Sequence, residues 1–280
     1  MAGTLYLVAT PIGNLEDMTF RAVRILQEAD VIAAEDTRNS IRLLNHFEIK
    51  TPMTSYHEFN KIDKGRTLIQ KLQAGENVAV ITDAGTPGIS DPGEELVKMC
   101  YDEGIEVTSV PGPAACIAAV TMSGQSCRRF SFEAFLPKDK KERARVLDEI
   151  QKETRTVIIY EAPHHLKATL KELCEVLGEE RELTIVREIS KKYEEKKRLT
   201  FQQAVACYEN TEPRGEYVLV IAGKDRKVIE QEQRQQWEKM TIAEHMAQYE
   251  AQGMEKKEAM KAVAKDRGVS KRDIYKELCK

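Results

Sequence analysis

Short β-branched, apolar runs alternate with amphipathic stretches along most of this chain, and that alternation constrains its fold more than any other feature. Leu5 to Ala9, Val31 to Ala34, Met53 to Tyr56, Val78 to Thr82 and Ile105 to Val110 have the length and composition of strands. Between the first two, Ala22, Ile25, Leu26 and Ala29 recur at i, i+3, i+4 and i+7 after Thr19, the spacing of one helix face. Further helices are expected through Ile41, Leu44 and Phe47, over Arg66 to Gln73 with Gly75 as a stop, and through Leu96, Val97 and Cys100. Repeated strand–helix units imply parallel α/β construction.

The same pattern resumes with strands expected at Arg129 to Phe135, Thr156 to Tyr160, Leu183 to Glu188 and Tyr217 to Ala222, and with a helix marked by Leu166, Leu170, Leu173 and Leu177. With 41% apolar residues in 280, the chain can fill two cores in domains of roughly 100–150 residues. We therefore read residues 1–113 as an N-terminal α/β domain and 114–224 as a second one. Residues 225–280 change character, to a charged linker and then a helical tail. Thr241 with Glu244 and Ser270 with Asp273 have the spacing of capping boxes, and Gly253 and Gly268 stand where helices stop, which predicts three short helices. The pair around Gly268 resembles a helix-turn-helix, with a plain packing module as the alternative.

Charge and cysteine usage narrow the function. The formal net charge is −3, yet Met254 to Lys280 holds nine Lys/Arg against five Asp/Glu, so the tail is +4 and the remainder −7. Only the tail suits a polyanion by charge alone. Cys100, Cys116, Cys127, Cys174, Cys207 and Cys279 show no metal-ligand spacing, and they read as reduced thiols with no metal implied. The apolar run at Leu5 to Ala9 is too short for a signal sequence, and no run is long enough to span a bilayer, so a cytoplasmic protein with no membrane partner is expected.

The chemistry should sit where strands end. Ile81 to Leu96, ITDAGTPGISDPGEEL, puts Gly85, Gly88, Gly93, Pro87 and Pro92 in one strand-to-helix connection with Asp83 and Asp91 and no lysine. Such turns often cradle phosphate, but two carboxylates favour a cationic or hydroxyl-rich ligand, such as an amino group, a ribose or a sulfonium. The plain alternative is a rigid connection in which Asp91 caps the next helix. A second turn, Val110-Pro-Gly-Pro-Ala-Ala, follows the next strand. There is no GxGxxG and no GxxxxGK[ST], so dinucleotide and ATP readings lose support. Glu35, Asp36 and Arg38 follow the second strand and Tyr56 and His57 the third, on the same expected edge of the sheet.

Leu7-Val-Ala-Thr-Pro-Ile-Gly-Asn-Leu, Ala34-Glu-Asp-Thr-Arg, Ser55-Tyr-His-Glu, Thr82-Asp-Ala-Gly-Thr-Pro-Gly-Ile-Ser-Asp-Pro-Gly, Val110-Pro-Gly-Pro, Phe132-Glu-Ala-Phe-Leu-Pro and Tyr160-Glu-Ala-Pro-His occur in that order. Together they resemble the RsmI family of bacterial 16S ribosomal RNA (cytidine-2′-O)-methyltransferases, a branch of the tetrapyrrole methylases. The resemblance spans roughly Thr4 to Gly223. It implies two α/β domains of the tetrapyrrole methylase type with S-adenosyl-L-methionine in the cleft between them, 16S rRNA or the small ribosomal subunit as partner, cytidine-1402 as the target ribose, and a homodimer. Cofactor contacts would fall on Pro11, Asp83, Gly85, Thr86, Ala114 and Ala115, and on Glu161, Ala162 and Ala222 in the second domain. Phe59 stands where the family has a second histidine, which argues against that histidine as an indispensable base.

A ribose hydroxyl is a weak nucleophile, so the protein must position it and remove one proton. Asp36, His57 and Glu35 are the candidate catalytic residues, with Arg38 and Tyr56 as substrate contacts. Competing roles are a helix cap for Asp36 paired with Arg38 and a core or surface position for His57. The basic runs Lys138 to Arg143 and Lys191 to Arg198 are interleaved with acids and read as solvated faces sooner than RNA contacts. Two rival functions share the cleft: methylation of a tetrapyrrole precursor, and a non-enzymatic adenosine- or RNA-binding module.

Overall fold

A computed structural model describes residues 1–91 and 93–278. In chain order the first half runs β1 (Thr4–Val8), α1 (Phe20–Glu28), β2 (Val31–Ala34), α2 (Thr37–His46), β3 (Met53–Ser55), α3 (Lys61–Gln73), β4 (Val78–Ile81), α4 (Gly93–Asp102) and β5 (Glu106–Val110). Its five strands form one parallel sheet in the order β3-β2-β4-β1-β5. Parallel strands buried on both faces need apolar residues at every position, and β2 (VIAA) and β4 (VAVI) supply them. Val78 and Val80 point into one core with Leu5, Leu68 and Leu96, while Ala79 and Ile81 point into the other with Leu26, Leu44 and Val110. The expected α1 is capped by Thr19, whose side chain accepts the Ala22 N–H, and it buries Ala22, Ile25 and Leu26.

The second half runs α5 (Ala115–Met122), β6 (Phe130–Phe135), α6 (Lys140–Lys152), β7 (Thr156–Glu161), α7 (Pro163–Leu177), β8 (Glu182–Arg187), β9 (Glu195–Thr200), α8 (Phe201–Glu209) and β10 (Tyr217–Ile221). Here the expectation of a parallel sheet is corrected. The order is β6-β7-β10-β8-β9, and only β6 and β7 are parallel; β10 runs antiparallel to both β7 and β8. The strand β9 was not expected, because Glu195-Lys-Lys-Arg is charged. It is an edge strand, where charge is compatible with one-sided pairing and keeps other chains from adding on. Two of its three cations are matched: Lys197 pairs with Glu195 and Arg198 with Glu182. The other basic run opens α6, where Asp139 accepts the Lys141 and Glu142 N–H groups and Arg143 pairs with Glu172.

Contacts divide the chain into two compact units, residues 1–151 with 155–222, and 152–154 with 223–280. The first holds both sheets. The second holds α9 (Arg226–Lys239), α10 (Ile242–Ala251), α11 (Lys256–Asp266) and α12 (Lys271–Leu278). The expected charged linker is therefore helical as α9, capped by Asp225. Thr241 and Glu244 form the expected capping box, and Ser270 and Asp273 exchange the equivalent bonds. This unit has its own core of Met246, Ala259, Met260, Val263, Ala264 and Ile274.

Candidate active site

Because β1, β2, β4 and β5 are parallel, their C-terminal ends share one edge, and the loops that follow are tied together there. The β1 and β4 loops form a two-way bridge, Thr10 N–H to Gly85 O at 2.9 Å and Gly85 N–H to Thr10 O at 3.0 Å. Gly85 has φ +89°, a conformation that glycine holds at least cost, while an added Cβ would meet Ile12 only at ordinary contact distance. The Thr86 hydroxyl donates to Pro113 O at 2.9 Å, which binds the β4 loop to the Pro-Gly-Pro turn. Asp91 accepts from the N–H groups of Gly88, Ile89 and Gly93, so its carboxylate shapes the loop and serves the start of α4. Pro92 lies outside the described residues.

A cavity of about 500 Å³ opens above these loops and continues onto the second sheet. Of the expected cofactor contacts it brings together Asp83, Gly85, Thr86, Ala114, Ala115, Glu161 and Ala162, and it adds Glu35. Pro11 is not in its wall, although the adjacent Ile12 is. Ala222 also lies outside its wall. It follows the C-terminal end of β10, where its N–H donates to Glu182 O, whereas Glu216, Tyr217 and Val218 at the other end of β10 line the cavity. The antiparallel course of that strand reverses which end reaches the site. Tyr56 is likewise displaced: it is 2% exposed and packs in the core with Leu68, Leu96 and Cys100. His57 lies outside the cavity wall, its N–H donating to Asn60 Oδ1 at 2.8 Å.

Sequence reasoning missed Glu216 and Phe135. Phe135 ends β6 after a bulge between Phe132 and Ala134, and its ring meets Tyr160 edge-on at 5.7 Å. Glu216 follows Gly215, whose φ of +84° lets the turn pack on Glu188. Glycine before an apolar run was the available signal.

The electrostatics are one-sided. Glu35, Asp83, Asp91, Glu161 and Glu216 line the cavity, and among the described residues no lysine, arginine or histidine does. Glu161 is committed internally, accepting from Ala162 N–H and from the Thr169 hydroxyl. Asp83 accepts the Asp36 N–H at 3.2 Å. Burial pushes the Glu35 carboxyl above its ordinary value, and the charges of Asp83 and Asp91 push it further. Asp36 does what the plain reading expected: it caps α2 and holds Arg38 with two side-chain bonds of 3.1 and 2.8 Å. Those bonds hold its carboxyl down at about 2. A carboxylate-lined cavity of this size, with glycine backbone and small side chains on one wall, fits a cationic sulfonium with a ribose and opposes a phosphate-rich cofactor.

Residues 4–205 match the family model of the tetrapyrrole (corrin/porphyrin) methylases. The ribosomal RNA small subunit methyltransferase I of Halalkalibacterium halodurans is 49% identical over 98% of this chain and 93% of its own, and that of Bacillus subtilis 46% over the same shares. The chain belongs to the RsmI family of tetrapyrrole methylases. Solved structures agree on the fold: diphthine synthase superposes with a TM-score of 0.60 at 10% identity, covering 79% of this chain and 90% of that one. A Thermus thermophilus uroporphyrin-III C-methyltransferase complexed with S-adenosylhomocysteine superposes at 0.56 and 19%, covering 79% and 97%. With these two relatives the match continues into the tail, since both align over 98% of this chain.

Proposed function

We propose that this RsmI-family chain transfers the methyl group of S-adenosyl-L-methionine to the 2′-hydroxyl of a cytidine ribose in 16S rRNA, cytidine-1402 by the family resemblance. The observation that carries the reading is the cavity whose charged side chains, among the described residues, are carboxylates alone. Bound there, S-adenosylmethionine supplies an electrophilic methyl group on a sulfonium. Asp83, Gly85, Thr86, Ala114, Ala115 and the Glu161–Ala162 backbone would hold it, with Glu216 added to the set.

Glu35 is the base in this proposal. Of the three catalytic candidates it alone lines the cavity, and its raised pKa gives its carboxylate more proton affinity than an ordinary one. Asp36 serves as the cap that aims Arg38, whose side chain is 88% exposed, toward an RNA phosphate outside the acidic cavity. His57 is left as a structural residue of the β3 end. The same acidity opposes a tetrapyrrole acceptor, which carries several carboxylates of its own. The two lobes are 1–113 and 114–224, with 225–280 as an RNA-binding arm, in a cytoplasmic homodimer.

Labelled S-adenosylmethionine incubated with naked 16S RNA and with small subunits, followed by mapping of the labelled ribose, tests this. Label at one cytidine 2′-oxygen is expected. Label on a precorrin in place of RNA, or tight cofactor binding with no transfer to either RNA substrate, would falsify it. Glu35→Gln should then lower turnover ~10²-fold or more with cofactor binding kept, while Asp36→Asn should act mainly on RNA affinity.

A further inference from the structure

The tail carries its positive charge in a geometric pattern. Lys257, Lys261 and Lys265 of α11 are all exposed and four residues apart, so they form one row about 12 Å long, with neighbours about 6 Å apart. The opposite side of the helix buries Ala259, Met260, Val263 and Ala264, which fixes the row outward. None of the three lysines has an ion-pair or hydrogen-bond partner for its side chain among the described residues. Glu258, three residues before Lys261, and Asp266, beside Lys265, are the adjacent acids, and Asp266 is taken up by the Tyr249 hydroxyl.

Gly268, at φ +65°, turns the chain after α11, and Val269 N–H closes that helix on Ala264 O at 3.0 Å. The next helix, α12, is anchored to the same core through Ile274, which is fully buried. Its outer face presents Arg272, Tyr275 and Lys276 at i, i+3 and i+4, and Tyr275 is 59% exposed. Asp273 turns its carboxylate to the Ser270 N–H and hydroxyl at the helix start, and the Lys276 charge helps to hold it ionised.

Resting on the RNA reading above, we propose that the α11–α12 face binds a single-stranded segment of the RNA, with the lysine row on successive phosphates and Tyr275 stacked on an unpaired base between Arg272 and Lys276. Charge complementarity selects the occupant. Three unpaired lysines at phosphate-like spacing on α11, with Arg272 and Lys276 flanking an exposed ring on α12, make an electrostatic track with a stacking platform. A membrane surface would need an apolar face on these helices, and theirs is already buried in the tail core.

The test uses the full chain, an unstructured oligouridylate and a titration of salt. In Lys257→Gln/Lys261→Gln/Lys265→Gln the slope of log K against log salt should flatten by about 2, from three contacts at about 0.7 each. Tyr275→Ala should weaken binding roughly tenfold at an unchanged slope, as loss of one base stack predicts, and Tyr275→Phe should bind as wild type. S-adenosylmethionine affinity should be the same in all. A wild-type slope in the triple variant, a wild-type affinity in Tyr275→Ala, or retention by anionic phosphatidylglycerol vesicles without RNA binding overturns the proposal. The functional reading stands or falls separately: wild-type methyl transfer with an unaltered slope in the triple variant sinks only this surface, and an altered slope without methyl transfer sinks only that reading.

Discussion

Ala134 holds a backbone conformation that glycine would hold at less cost. Its φ is 51°, at the point where the register of β6 on β7 slips and the strand turns Phe135 into the cavity wall. An L-residue there costs roughly 1–2 kcal/mol, of which glycine returns ~0.4–1 through the unfolded chain. Ala134→Gly should therefore raise the stability measured by urea unfolding by about 0.5–1 kcal/mol. Glu35 works in the other direction. Its folded pKa is raised, first by burial and then by Asp83 and Asp91, so its contribution to stability falls as pH rises through that pKa. Glu35→Gln should melt higher than wild type at neutral pH while losing turnover, and the acid limb of the pH–rate profile should vanish with it. Which residue types could serve was readable from the sequence. Which of Glu35, Asp36 and His57 faces the cavity was not, because consecutive strand-end residues point to different sides of the loop.

Between β8 and β9, Lys191 ties three segments together. Its ammonium bridges Glu188 at 2.9 Å and Glu216 at 2.8 Å, and its stem packs where a Cβ on Gly13 would lie 2.3 Å from it. The Ser190 hydroxyl also meets Asp17, so the loop after β1 and the turn before β9 are joined beside the cavity. Lys191→Met should loosen the turn at Glu216 and the loop at Gly13, read as faster hydrogen exchange in both segments, and Lys191→Arg should restore most of the protection. The tail contains a comparable stack, with Trp237 on His245 at 5.3 Å and His245 on Tyr249 at 5.6 Å. His245 is 1% exposed, and burial, then the Arg267 charge, lower its pKa from 6.5, against the opposing pull of Asp266. A depressed base favours its neutral form in the fold, so stability is present above the unfolded pKa and lost as pH falls below it. Trp237 is the chain's one tryptophan. Its fluorescence should therefore report tail loosening below about pH 6.5, and His245→Phe should abolish the transition.

At the scale of the molecule, the two compact units divide the work proposed here: cofactor and chemistry in residues 1–222, RNA capture in the helical tail. Removing residues 225–280 should leave S-adenosylmethionine affinity unchanged by calorimetry and should weaken RNA binding most at low salt, where the counterion term is largest. Equal losses of both affinities would show that the tail instead supports the fold of the first unit.

The five parallel strands of the first half, the acidic glycine loop and the capping boxes of the tail were legible in the sequence. Each depends on residues within a few positions of one another, and local spacing encodes them. It misjudged the second sheet, where strand direction depends on which strands become neighbours. β10 therefore ran opposite to expectation, and it is its Glu216 end, not its Ala222 end, that lines the cavity. Charged β9 and α9 were missed because pairing at a sheet edge and the exposed faces of a helix need no apolar pattern. Tertiary structure alone decided that Tyr56 is core and that Glu35 meets Asp83 and Asp91. Those contacts join residues from 12 to 56 positions apart, and only the folded sheet brings them within range.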